Sequence, residues 1–128
     1  MNGRLWLKDV PWELVVWQNE QLCLAKSAHH GPTSDGFEDC RSMWENERTS
    51  PMAFIEVVEL CRRCHQMAPF TNCNGNTFAA IARGLIGAFD TSPQNLALAR
   101  SLAGHIVAGV AGNEETEAFR QLCHTLGV

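Results

Sequence analysis

The sequence predicts a mainly α-helical fold of the α+β type, an N-terminal β-hairpin packed on a bundle of about five helices. Two observations carry that prediction. From residue 34 onward apolar side chains recur at helical spacing between cap and proline signals, whereas β-branched and aromatic residues gather around a polar triplet near the start. A chain of 128 residues with 45% apolar and 19% charged side chains also has room for one ordinary core and is too apolar for a disordered segment. The expected organisation is a single domain over 1–128, with a hairpin region at 1–26 and a helical region at 34–128.

The elements follow in chain order. Trp12 to Trp17, the triplet Gln18-Asn19-Glu20 and Gln21 to Ala25 read as two short strands and a turn. Ser27 to Gly36 is rich in loop residues. Asp35 with Glu38 resembles a capping box, and Phe37, Cys40 and Trp44 share the face of a helix running to about Arg48. Ser50-Pro51 reads as a helix start for the stripe Phe54, Val57, Val58 and Cys61, with Pro69 ending it. Asn72 to Asn76 reads as a turn, with Gly75 at positive φ and Asn76 or Thr77 capping the stripe Phe78, Ile81, Ala82, Leu85 and Phe89. Ser92-Pro93 opens the next helix, closed at Gly112, and Asn113 caps a last one burying Phe119, Leu122, Cys123 and Leu126. The small residues of 96–110 allow close helix packing within or between chains.

Charge and targeting signals narrow the classes of function. The formal net charge is −4 and the pI about 5.7, which argues against a broad nucleic-acid surface. No uninterrupted apolar run is long enough to cross a membrane, and no export signal opens the chain, so the expectation is a cytoplasmic protein with reduced cysteines. No Gly-rich phosphate loop, Gly-x-Ser-x-Gly elbow or His-Glu-x-x-His pair is present. Residues 1–60 hold ten acids and five bases, whereas residues 61–113 hold four arginines and one aspartate. Arg62, Arg63, Arg83 and Arg100 therefore offer a face for an acidic partner.

The cysteines suggest two chemistries. Cys61-Arg62-Arg63-Cys64-His65 has the letters of a covalent haem attachment, but that chemistry needs export and a distal ligand, and Met67 is too near His65 to serve. Cys61 and Cys64 lie one turn apart on a helix and with Cys40 and Cys73 form a possible zinc set. Over residues 40–73 this layout resembles the four-cysteine iron–sulfur site of WhiB-like regulators, and the resemblance implies a Cys-ligated cluster held by successive helices. The leading reading of these thiols is simple core packing, with no cofactor, and the zinc set is the alternative.

Asn72-Cys73, with Phe78 following, opens a helix where the dipole and free N–H groups favour a thiolate. This arrangement resembles the permuted papain-like hydrolases, including the lecithin:retinol acyltransferase-like family. The resemblance implies a hydrolase or transferase with Cys73 as nucleophile and His29 or His30 as base. No well-spaced catalytic set accompanies it, so the leading expectation is a non-catalytic binding protein: an inhibitor, adaptor or regulator. It would act on a protein partner through Trp12 and Trp17 or through Arg62, Arg63, Arg83 and Arg100, without nucleic acid or membrane.

Overall fold

The computed structural model describes residues 3–128 and contains six α-helices: α1 (Trp12–Ala25), α2 (Phe37–Glu47), α3 (Phe54–Met67), α4 (Asn74–Ile86), α5 (Pro93–Ala108) and α6 (Asn113–Leu126). The described residues form no strand. Two isolated antiparallel bridges, Arg4 with Met52 and Pro32 with Phe70, are the extent of β pairing among them. One hydrophobic cluster runs through all six helices, from Trp12 and Val15 of α1 to Phe119 and Cys123 of α6. No described helix is long and apolar enough to cross a membrane.

The expected hairpin is a single helix, and this overturns the α+β assignment. Met1 and Asn2 of the hairpin region lie outside the described residues, and all of 12–25 is α1. Its buried residues are Trp12, Val15, Asn19 and Cys23, a spacing of three, four and four that only a helix puts on one side. Asn19, read as a turn residue, sits in the middle of that buried stripe. The apolar residues Leu14, Trp17 and Leu24 fall on the opposite, exposed side, so the helical period is blurred. Pro11, extended at ψ 162°, is the last residue before the helix. Trp12 N–H, one of the first-turn donors without a helical acceptor, reaches Glu45 Oε2 of α2 at 2.7 Å.

Glu45 thereby joins α1 to α2. Its carboxylate also accepts Arg48 Nε at 3.1 Å, and Arg48 Nη1 donates to Lys8 O at 2.6 Å, fastening the segment before α1. Burial works to raise the Glu45 pKa, but the Trp12 N–H and the Arg48 guanidinium outweigh it and hold the carboxyl below its ordinary value of 4.5. A carboxyl with a lowered folded pKa contributes stability that is present above its unfolded value and lost as pH falls through the folded one. Glu45→Gln is therefore expected to cost about 1 kcal/mol at pH 7, a modest figure because the group is partly solvated. The deficit should shrink below about pH 4 in urea titrations of the two proteins.

The later helices begin and end differently in detail from the sequence expectation. α2 starts at Phe37 after Gly36, with no side-chain cap from Asp35; Thr33 Oγ1 instead accepts the Gly36 N–H at 3.3 Å. α3 starts at Phe54, not at Ser50-Pro51, because Met52 is engaged with Arg4 through two backbone bonds of 2.9 and 3.0 Å. Glu56 Oε1 accepts the Ala53 N–H at 2.8 Å and supplies the start signal that proline was expected to give. α5 opens as expected, with Ser92 Oγ accepting Asn95 N–H at 3.2 Å and Pro93 in the first turn. It closes at Gly109, where φ is 82°, while Gly112 precedes α6.

Gly36 is required by close approach. A Cβ at this position would meet the carbonyl oxygens of Met67 and Ala68 at the end of α3, and these are backbone atoms that cannot swing aside. Gly36→Ala is expected to destabilise the protein by about 1–3 kcal/mol, read from the urea midpoint, despite alanine's better helix propensity.

Candidate functional site

The four cysteines of the alternative zinc set fall into two groups. Cys40 of α2 and Cys61 and Cys64 of α3 are fully buried neighbours, with the Cys40 and Cys64 thiols in hydrogen-bond contact. Burial and the adjacent Cys40 push Cys61 up to about 12, and the bond with Cys40 together with burial drives Cys64 upward as well. These are protonated core thiols. Cys73 lies elsewhere, against Cys23 of α1. Among the described residues, no three His, Cys, Asp or Glu side chains are arranged to hold a metal ion. His65 is likewise engaged in packing: its Nδ1 is 2.8 Å from Val107 O, and its ring lies against Gly75.

Cys73 occupies an unusual position. It precedes α4 in the left-handed conformation, φ 63°, a place where glycine or asparagine is commoner. Gly75 and Asn76 are inside the helix, so the expected positive φ has moved to the cysteine. The segment is fastened by its own side chains. Asn74 pairs with both backbone groups of Phe70, at 2.9 and 2.7 Å, and Thr77 Oγ1 donates to Cys73 O at 2.7 Å.

Behind Cys73 lies a buried polar knot that the sequence reading missed. Asn19 Nδ2 donates to Asn72 O at 2.8 Å and to Thr77 Oγ1 at 3.0 Å. Asn19 Oδ1 lies 2.7 Å from His30 Nδ1 and accepts the Cys23 thiol at 3.6 Å. With Oδ1 as acceptor, His30 carries its proton on Nδ1. The ring stacks on Phe70 at 6.2 Å between centroids. His29 contributes its backbone oxygen, which accepts Asn72 Nδ2 at 2.9 Å. Among the described residues, neither imidazole is hydrogen-bonded to the Cys73 thiol. Burial first, and then the Cys73 thiol, raise the Cys23 pKa. A polar residue spaced with Val15 and Cys23 on one helical stripe was the available signal for Asn19.

These burials predict thiol reactivity. Cys73 is half-buried and the other five cysteines are buried. Iodoacetamide at neutral pH is expected to add one label, at Cys73, with the remaining five modified only in denaturant; intact-mass and peptide mapping read the outcome.

The expected contact residues separate in the same way. Trp12 is core, stacked on Phe70 at 5.7 Å with an interplanar angle of 8°. Trp17 is 53% exposed, and Leu14 and Leu24 on the same side of α1 are 40% and 68% exposed. Beside them α1 and α4 enclose an open groove of about 220 Å³, lined by Val10, Leu14, Gln18, Ile81, Gly84 and Leu85 among others. Two larger depressions, of about 470 and 430 Å³, include neither Cys73 nor His29 nor His30 in their walls. Arg63 is paired with Glu47 at 3.0 Å, whereas Arg62, Arg83 and Arg100 face α5 or leave it without a carboxylate partner among the described residues. Comparison with protein-family models, with curated proteins and with solved structures yields no match.

Proposed function

We propose that this chain is a non-catalytic binding protein that engages a protein partner through the outer face of α1 and the groove beside it. The observation that carries the reading is Trp17. An exposed tryptophan flanked by exposed leucines at positions 14 and 24 leaves apolar surface in water that a folded chain normally covers. Tryptophan is also the side chain most often found as an energetic anchor at interfaces. Positions 14, 17, 21 and 24 are separated by three, four and three residues, the seam of a helix that packs on another helix. Gln21 in that seam offers a polar contact that fixes register. The groove supplies a slot for one or two apolar side chains of the partner, and its volume is small for an independent small-molecule site.

The packing of the thiols argues in the same direction. Cys73 faces a second thiol and has no imidazole bonded to it, and His30 is held by Asn19. A thiol enzyme needs its base within hydrogen-bond reach of the nucleophile.

A photo-crosslinking side chain at Gln21, introduced into the full chain in its source cell, tests the proposal. The expected result is a discrete protein adduct that disappears when Trp17→Glu is added and is absent when the probe sits at Gln121 on α6. Adduct formation indifferent to Trp17→Glu, or none at Gln21, overturns it. Equilibrium sedimentation of the purified chain separates a second copy from a different protein as the partner.

A further inference from the structure

We propose that Arg62, Arg83 and Arg100 form a cationic binding face for an acidic helical segment of a protein partner. It is a second contact face, beside α5, and does not rest on the α1 groove.

Its geometry comes from glycines. The Arg83 guanidinium lies on Gly104, and its Nε donates to Arg100 O at 3.3 Å. The Arg62 guanidinium lies on Gly109 at the end of α5, and Nη1 donates to Val107 O at 3.4 Å. Arg100 leaves α5 one turn before Gly104 and reaches Gly87, at 3.2 Å from where a Cβ would stand. The absence of side chains at these three glycines lets the guanidiniums settle against backbone. The Arg83 and Arg62 guanidiniums therefore lie against positions 104 and 107–109 of α5, roughly one helical turn (about 5.4 Å) apart, and Arg100 extends toward the end of α4 at Gly87.

Nothing in the described chain neutralises this face. Its five ion pairs use Arg41, Arg48, Arg63, His105 and Arg120. α4 and α5 contain no aspartate or glutamate, and Asp90 between them forms no ion pair. The acids of α3, Glu56 and Glu59, are on its earlier turns, and Glu59 meets Arg120 instead. Three cations without a carboxylate partner among the described residues, on a molecule of net charge −4, leave charge for an anionic ligand to neutralise. Guanidinium forks pair with carboxylates in two parallel hydrogen bonds, and carboxylates at every fourth residue of a helix repeat at about the spacing of the Arg83 and Arg62 positions on α5.

A protein segment fits better than a nucleic acid. The face has three cations, and both lysines of the chain, Lys8 and Lys26, lie outside α3, α4 and α5. The phenylalanines of this region, Phe78 and Phe89, are buried, and the exposed ring of α5, His105, is held by Glu115 at 2.6 Å. Exposed Ala97 and Ala108 flank the face and leave it open to a helix laid alongside.

The test uses the full chain and a fluorescent alanine-rich peptide carrying glutamate at four successive i, i+4 positions. Anisotropy is expected to report binding that weakens as salt rises, is lost in the glutamine version of the peptide, and falls at least about tenfold in the Arg62→Gln, Arg83→Gln, Arg100→Gln triple variant. Circular dichroism of that variant checks its fold, and each single Arg→Gln change, expected to weaken binding severalfold, serves if the triple variant is unstable. Arg63→Gln and Trp17→Glu are expected to bind the peptide as the parent does, which keeps this face distinct from that of α1. Absence of peptide binding, binding unchanged in the arginine variants, or a labelled thymidine oligonucleotide binding in place of the peptide overturns the proposal.

Discussion

Trp44→Ala is expected to cost about 3–5 kcal/mol, the largest loss of any single side chain here, read as a shift of the urea midpoint. Trp44 is fully buried between α2 and its neighbours, with ring centroids 6.5 Å from Trp12 and 6.0 Å from Phe78. Truncation leaves a cavity where the α1, α2 and α4 aromatics meet. It also removes the indole N–H that donates to Val10 O at 2.9 Å, so that carbonyl faces the cavity unpaired. Because a domain of this size is stable by only about 5–15 kcal/mol, the alanine variant stands close to unfolding. Trp44→Phe separates the two contributions, since it keeps most of the volume and loses the hydrogen bond. Its expected cost is about 1–3 kcal/mol. Trp12 supplies a control. Its indole N–H is buried without an acceptor among the described residues, so Trp12→Phe removes an unsatisfied donor and should cost less than Trp44→Phe.

The helices after residue 34 were legible because each has its own period and its own punctuation. Phe54, Val57, Val58 and Cys61 repeat at helical spacing, and Ser92-Pro93 caps α5 by the mechanism its residues suggest. α1 was illegible for a specific reason. Helix and strand are distinguished in sequence by which residues are apolar, and α1 has an apolar seam outside and a polar residue inside. Leu14, Trp17 and Leu24 broke the pattern that Trp12, Val15, Asn19 and Cys23 make. The feature that hid the helix is therefore the one that suggests its surface is a contact face.

The candidate site was partly legible. Composition placed unopposed arginines in the middle of the chain; Arg62 and Arg83 pack on α5, whereas Arg100 reaches from α5 to Gly87. Sequence spacing could not show that Arg63, one residue from Arg62, turns to Glu47 on α2. Nor could it show that Cys73 would meet Cys23, since those partners are 50 positions apart and their approach depends on α1 being a helix. Cys40, Cys61 and Cys64 did come together, but inside the core, where burial keeps thiols protonated.

Asn19→Leu tests the polar knot most directly and is expected to cost about 2–4 kcal/mol. The substitution matches shape closely, so a packing argument alone predicts little change. What it removes is a side chain that joins α1, the 27–33 loop and the start of α4. Asn72 O, Thr77 Oγ1 and His30 Nδ1 each lose a partner at 2.7–3.0 Å. Burying such groups unpaired costs more than their bonds contribute in water. Asn19→Asp separates hydrogen bonding from shape. A carboxylate keeps the acceptor facing His30 but turns a second oxygen toward Asn72 O, where the amide had donated. It also favours the protonated imidazole, and a histidine whose folded pKa is raised contributes stability at low pH that is lost as pH rises through that value. The Asn19→Asp deficit should therefore be smaller at about pH 5.5 than at about pH 8, whereas the Asn19→Leu deficit should show no comparable recovery. Equal behaviour of the two variants across that range would mean that His30 and Asn19 are not coupled. Thiol labelling gives an independent readout, because Cys23 is screened by the same side chain. A second fast label at Cys23 in Asn19→Leu is the expected sign that α1 has lost its fastening to Cys73.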